Sequence, residues 1–349
     1  MDKEKTKDMA DRIFRDMAGA MAVGLAHLGT QTGLFRVMAD QGPMTLDAVV
    51  RGSGLTARYV EEWLKGMVAA RYLDYAPATG TFCLPAEHAY LLASETTDHY
   101  MGGLFGMVPP LLTVAPRVLQ AFRDGGGVPF ADFAPECREA IDLMNRGNYE
   151  HRLVDYWLAQ LPEVVARLTA GGRVLDVGCG TGQVVQALAR AFPASDVIGV
   201  DPDARSIAAA TAAMAALTPP PRLIHATLDA VPTDLRCDLI LLCDVLHDLP
   251  TPLPVLRDIR QRLAPGGVLF IIEPRVSDHL EENIHPMGAM FYGFSVFHCM
   301  TQSIAHQGAG LGACMGPART KDLLAEAGFS RIDSVPIKSA VNLFYAAHP

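Results

Sequence analysis

Val174-Leu175-Asp176-Val177-Gly178-Cys179-Gly180-Thr181-Gly182 is the stretch on which the fold turns. An apolar strand ends in an acid and runs into three alternating glycines, a pattern that brings main chain against a bound nucleoside. Glycines at 178, 180 and 182 carry no side chain to hold a ligand away, and they admit backbone angles closed to other residues. Asp176 sets an acceptor at the strand's carboxyl end, which suits a ligand bearing a cation. The spacing is G-x-G-x-G, not the G-x-G-x-x-G in which a helix N-terminus receives a pyrophosphate, so a dinucleotide is the weaker reading.

Outward from this loop the chain alternates. A helix is expected over 183–191, then the strand Asp196-Val197-Ile198-Gly199-Val200-Asp201. An acid at that strand's tip is placed to take both ribose hydroxyls; the other reading of Asp201 is a cap for a helix beginning at Ala204. A third strand and its loop follow at Leu223-Ile224-His225-Ala226-Thr227-Leu228-Asp229. The fourth strand, 237–243, ends in Asp244-Val245-Leu246-His247-Asp248, and the fifth, 267–272, runs into Glu273-Pro274. Continuous apolar strands separated by helices mark a parallel sheet covered on both faces, with ligands at the strands' carboxyl ends. The named acids fall at that end.

This ordered series resembles the class I S-adenosylmethionine (SAM) dependent methyltransferases, whose motif I the opening stretch matches. The resemblance spans roughly residues 145–349 and implies a Rossmann-like α/β domain of seven strands that binds SAM. It places Asp176, Gly178, Gly180 and Gly182 around the cofactor, Asp201 on the ribose and Asp229 on the adenine amino group. Asp244 and Tyr149 join the cofactor set, Tyr149 because it lies just before the domain, where related enzymes cover the ligand. The final Asn342-Leu343-Phe344-Tyr345-Ala346-Ala347 is then the last strand, antiparallel at the sheet's edge.

A chain of 349 residues has room for two cores. Its first part reads as α-rich, with helices over 9–27 and 30–39. A short helix from Thr45, a turn at Gly52-Ser53-Gly54 and a helix over 56–68 form a helix-turn-helix. A hairpin follows within 72–84, with a Pro/Gly turn. The unit resembles the winged helix that precedes the catalytic domain in small-molecule methyltransferases, where it supports dimerisation. The expected division is 1–95 winged helix, 96–150 helical connector, 151–349 methyltransferase domain. A DNA reading of the winged helix meets Arg58, Glu61, Glu62 and Lys65 on the would-be recognition helix, which sum to no net charge. The whole chain carries −9, against a nucleic-acid footprint. No apolar run is long enough to span a membrane, and the start is charged with no signal core, so a cytoplasmic protein is expected. Seven cysteines without a C-x-x-C pair fit reduced thiols and give no metal signature.

Methyl transfer from a sulfonium is an in-line displacement, in which positioning and exclusion of water carry much of the rate. A hydroxyl acceptor must also lose a proton, which suits a histidine. Leu246-His247-Asp248 resembles the L-H-D of winged-helix O-methyltransferases, whose histidine is the general base. His247 is thus the catalytic candidate, the alternative being a histidine that packs against the cofactor. Asp248 either orients it or caps the next helix. Those enzymes often carry a tryptophan upstream and a further acid that orients the histidine; here the strand ends in Cys243-Asp244.

Residues 276–316 are inserted before a helix expected over 319–327. Their aromatic and methionine-rich content suits an acceptor pocket or lid, with His285, Met290, Phe294, His298 and Cys299 as candidate contacts; a helix packed on the sheet is the plainer reading. Three functions follow: methyl transfer to a hydroxyl with His247 as base, transfer to a small thiol or sulfide, which ionises with little help, and a SAM-sensing DNA-binding regulator.

Overall fold

The computed structural model describes all 349 residues, which divide into two compact units: residues 1–110 with 135–147, and residues 111–134 with 148–349. Of the residues expected as a connector, 96–110 and 135–147 fall in the first unit and 111–134 and 148–150 in the second.

In the first unit, helix α1 spans Lys3–Gln31, longer than the 9–27 expected, because Asp2 caps it by accepting from the amides of Glu4 and Lys5. The short α2, Leu34–Met38, starts after Gly33, whose φ of 75° turns the chain. Then come α3 (Leu46–Ser53) and α4 (Ala57–Ala69), joined through Gly54 at φ 68°. The antiparallel hairpin of β1 (Asp74–Ala76) and β2 (Thr81–Cys83) follows, then α5 (Ala86–Leu92). This is the helix-turn-helix and wing read from the sequence. Its core gathers on Trp63, which packs edge-on against Phe35 at 5.2 Å and donates its indole N–H to the carbonyl of Leu25 at 2.8 Å. On α4, Arg58 pairs with Glu62 and Lys65 with Glu61, so each cation is already matched on its own helix.

Helices α6 (Gly102–Thr113), α7 (Ala115–Asp124) and α8 (Pro135–His151) lead on. No single helix is long and apolar enough to cross a membrane.

The second unit is built on a sheet of seven strands: β3 (Arg173–Val177), β4 (Asp196–Asp201), β5 (Arg222–His225), β6 (Cys237–Cys243), β7 (Leu263–Pro274), β8 (Arg331–Ser334) and β9 (Asn342–His348). Their spatial order is 5-4-3-6-7-9-8. Helices α9 (Pro162–Thr169), α10 (Gln183–Ala191), α11 (Ala204–Met214) and α12 (Pro252–Arg262) alternate with the strands, and α15 (Gly316–Glu326) follows α13 and α14, described below. One core lies on each face, as the unbroken apolar strands require. The strand β9 is antiparallel, as expected, but it is not at the edge: β8 pairs outside it. Arg331–Ser334 is short and largely exposed, so it lacks the apolar run that announces a strand.

The insertion 276–316 forms α13 (Pro286–Phe294) and α14 (Met300–Ala305), joined without a break by a π-helical turn at Ser295–Cys299. Backbone bonds from Ala309 to the carbonyl of Pro250 (2.9 Å) and from Gly312 to that of His247 (3.1 Å) strap the segment after α14 to the loop beyond β6.

Candidate active site

The site lies where β3, β4, β6 and β7 end. Asp176 is the last but one residue of β3 and is 2% exposed. Burial and the neighbouring Asp201 both push its carboxyl up, to about 8. The loop behind it turns through Gly178, Gly180 and Gly182, all with positive φ. A Cβ on Gly178 would come within 2.7 Å of a Val245 methyl, and one on Gly182 within 2.5 Å of the Met214 methyl, so the loop's path admits no side chain at either position.

Asp201 braces the same loop. One of its carboxylate oxygens accepts from the amide of Gly180 (2.9 Å) and the other from that of Asp203 (2.7 Å). The cap of the helix from Ala204 is Asp203, which accepts from the amide of Ser206, so Asp201 is not that cap. Burial raises its pKa and the two amides lower it, with a net upward shift. Asp229 stands exposed on the single turn Leu228–Ala230 after β5.

Asp244 is held in the left-handed region at φ 55°, uncommon for a residue other than glycine. Tyr149, buried near the end of α8, donates its hydroxyl to the carboxylate of Asp244 at 3.3 Å and packs edge-on against Trp157. Burial pushes Asp244 up to about 7, although the charge of His247 draws it down.

A buried acid and a half-buried one beside a glycine loop that a Cβ would fill suit a cationic nucleoside: a positive amino acid portion would offset the cost of ionising Asp176, and Asp201 has lone pairs left for two hydroxyls. The residues present therefore fit the cofactor that the sequence implies.

His247 sits on a single turn after β6 and is 3% exposed. Its Nδ1 lies 2.7 Å from Oε2 of Glu273 at the end of β7, and its Nε2 lies 3.4 Å from Oδ1 of Asp248. Burial lowers the imidazole's pKa, but Glu273 and Asp248 outweigh it and hold the pKa well above the ordinary histidine value. Sequence reasoning left Glu273 without a role. The signal was its register: Cys243 of β6 pairs with Ile272 of β7, so the residues that follow each strand are neighbours.

Of the five candidate contacts in the insertion, the structure brings one to His247. The sulfur of Cys299, the Nε2 side of His247 and the carboxylate of Asp248 lie within 4.8 Å of one another. Burial pushes the Cys299 thiol up to about 12. His298 is buried next to it, with its ring edge-on to Phe130 and tilted against Phe133; burial pulls its pKa down. Met290 and Phe294 are half-buried on α13. His285 is exposed and caps α13 by accepting from the amide of Gly288, so its side chain has a local task away from the imidazole.

A family model described as a methyltransferase domain matches residues 148–330, more than half of the chain, and one described as an Rv2258c-like winged HTH domain matches residues 17–94. Trans-aconitate 2-methyltransferase of Methylobacterium radiotolerans is 34% identical over 172 residues, covering 49% of this chain and 60% of that protein. The chain thus spans less than two thirds of the length of that relative. Among solved structures, human N-acetylserotonin methyltransferase in complex with SAM superposes with a TM-score of 0.66 at 21% identity, over 97% of each chain. The mitomycin 7-O-methyltransferase superposes at 0.68 and 16% identity, over 99% of this chain and 100% of that one. At these identities the structural likeness bears on the fold. The chain belongs to the methyltransferase family that the first of these models describes, as a SAM-dependent enzyme with a winged helix before its catalytic domain.

Proposed function

We propose that the protein transfers the SAM methyl group to the oxygen of a small hydroxyl-bearing acceptor, with His247 receiving the acceptor's proton. The observation that carries this reading is the 2.7 Å contact of Glu273 with Nδ1. It fixes the ring and leaves Nε2 as the nitrogen for the acceptor, the arrangement by which a second group orients a base. SAM, when bound, supplies an electrophilic methyl group. The chain's own residues do the rest. Asp176 holds the amino acid portion, Asp201 the ribose and Asp229 the adenine amino group, while Tyr149 from α8 and Asp244 from the end of β6 close over the cofactor. Glu273 positions the imidazole, and the buried Cys299 on the turn between α13 and α14 lies beside its other nitrogen.

Replacing His247 by Ala is expected to lower turnover by about 10²–10⁴ while SAM affinity is kept, the ordinary range for a lost general base. Near-normal turnover would remove His247 from the mechanism. Acceptor class is read by offering purified protein and SAM a panel of phenols, carboxylic acids, amines, thiols and sulfide, and identifying methylated products by mass spectrometry. Methylated hydroxyls support the reading.

One observation favours a sulfur acceptor as a second reading. A thiol, that of Cys299, already lies beside the imidazole, so the site accommodates sulfur. Methylated thiols or sulfide with a small effect of His247→Ala would establish that alternative.

A further inference from the structure

Three electron-pair donors of different chemistry converge beside the base, and the acceptor's proton accounts for only one of them. Nε2 of His247 and Oδ1 of Asp248 are 3.4 Å apart, longer than the 2.7–3.2 Å of an ordinary N–H···O hydrogen bond. Oδ1 of Asp248 is buried and has no hydrogen-bond partner. The sulfur of Cys299 completes a triangle in which no side exceeds 4.8 Å. Donors around a tetrahedral zinc-class ion, at about 2.0–2.3 Å each, stand roughly 3.3–3.6 Å apart. The His247–Asp248 separation already has that value, and the third donor needs a small inward movement.

The surroundings have the form of a metal site. A ligand histidine commonly gives its other nitrogen to a carboxylate, which fixes the tautomer and strengthens the donor; Glu273 stands in that position at Nδ1. A second, separate observation comes from the π-helical turn. His298, 6% exposed and adjacent to Cys299, turns its Nδ1 toward the Cys299 sulfur at 3.8 Å. Imidazole, carboxylate and thiolate together select a borderline ion and disfavour calcium or magnesium, which take oxygen.

We propose that His247, Asp248 and Cys299 bind a divalent transition-metal ion of the zinc class, and that the ion shuts off methyl transfer by occupying the lone pair on which the acceptor's proton must land. The chemistry balances. Two protons leave to solvent as the ion binds, that of the Cys299 thiol and the one that the raised pKa of His247 keeps on the imidazole; a neutral imidazole, one carboxylate and one thiolate then offset the charge of the dication. The binding stands on the geometry alone, whereas the inhibition rests on the base reading proposed for His247.

The test titrates cobalt(II), as the probe, into metal-stripped full-length protein. The expected result is one ion per chain, with a thiolate-to-cobalt charge-transfer band and the visible bands of four-coordination, displaced by zinc. Cys299→Ser should abolish the charge-transfer band, and Glu273→Gln should weaken binding about 10–100-fold. Asp248→Asn serves as an independent ligand variant, with circular dichroism on each to confirm folding. Failure to form thiolate-bound cobalt, or its survival in Cys299→Ser, overturns the metal site and leaves the base reading untouched. In parallel, zinc should inhibit turnover competitively with acceptor and a chelator should restore it. Stoichiometric binding with undiminished turnover overturns the inhibition and takes the base assignment of His247 with it.

Discussion

Asp176 carries the most legible chemistry in the chain. An acid near the end of an apolar strand before three glycines is visible in sequence, but its protonation is not, because that depends on its burial first and on the neighbouring Asp201 of β4 second. With a folded pKa of about 8 against an ordinary value near 3.8, the folded cofactor-free protein retains a proton through that window that the unfolded chain has released. Its stability therefore falls as pH rises from about 4 to 8, by up to about 1.4 kcal/mol per pH unit, and levels off above. Asp244, at about 7, adds a similar slope over a narrower window. Thermal melts of wild type and Asp176→Asn across this range should separate the two: the variant is the more stable of the pair near pH 8. The same proton must leave when a cationic ligand binds, so SAM affinity should rise with pH up to about 8, by at most roughly tenfold per unit. Calorimetry of Asp176→Asn should give weak binding without that slope; an unchanged slope would exclude Asp176 as the group responsible. Glu273 shows the opposite case. An acid before a proline has no local pattern, and its partnership with His247 becomes visible only once β6 and β7 are known to be neighbours.

At the scale of elements, reading succeeded where periodicity is strong. The strands at Asp196–Asp201 and Cys237–Cys243 and the helix Gln183–Ala191 stand where the apolar pattern put them. It failed where tertiary pairing decides. The polar β8 forms because β9 offers it an edge, and the helix expected over 319–327 starts at Gly316. Between elements, Arg262 is fully buried at the end of α12. It donates to both oxygens of Asp258 (2.9 and 3.0 Å) and to the carbonyls of Leu228, Val231 and Pro232 (3.3, 3.0 and 2.5 Å). It thus ties α12 to the turn that carries Asp229. Arg262→Met should cost about 3–5 kcal/mol, as removal of one partner of a buried pair does, and should weaken SAM binding; urea unfolding and calorimetry read the two effects. Gly127 is a second such point. A Cβ there would stand 1.9 Å from the carbonyl oxygen of Thr301, where the amide of Val128 also donates to the Thr301 hydroxyl. Gly127→Ala should loosen the 125–133 segment from α14, seen as faster amide exchange in both, with the α4 core unaffected.

For the whole molecule, the sequence led to a homodimer, and α1 offers the surface for one. Its residues 3–21 are exposed, and Met9, Ile13, Met17 and Met21 recur every fourth position with Phe14 beside them. Such a stripe is more apolar than a solvated helix face requires. If a second copy covers it, sedimentation should give twice 37.5 kDa, and Ile13→Glu with Met17→Glu should halve that mass. A wild-type monomer would dismiss the dimer.

The place of β9 inside the sheet also governs how the enzyme is made. While a nascent chain has reached only residue 340, every residue assigned to the cofactor and the base has been synthesised, yet β7 presents Leu269, Phe270, Ile271 and Ile272 along an unpaired edge. Such an edge invites pairing with other chains. The ribosome must release residues 342–348 before the edge is sealed. A message cut short there should yield a chain that chaperones and proteases recognise, not a partly active enzyme.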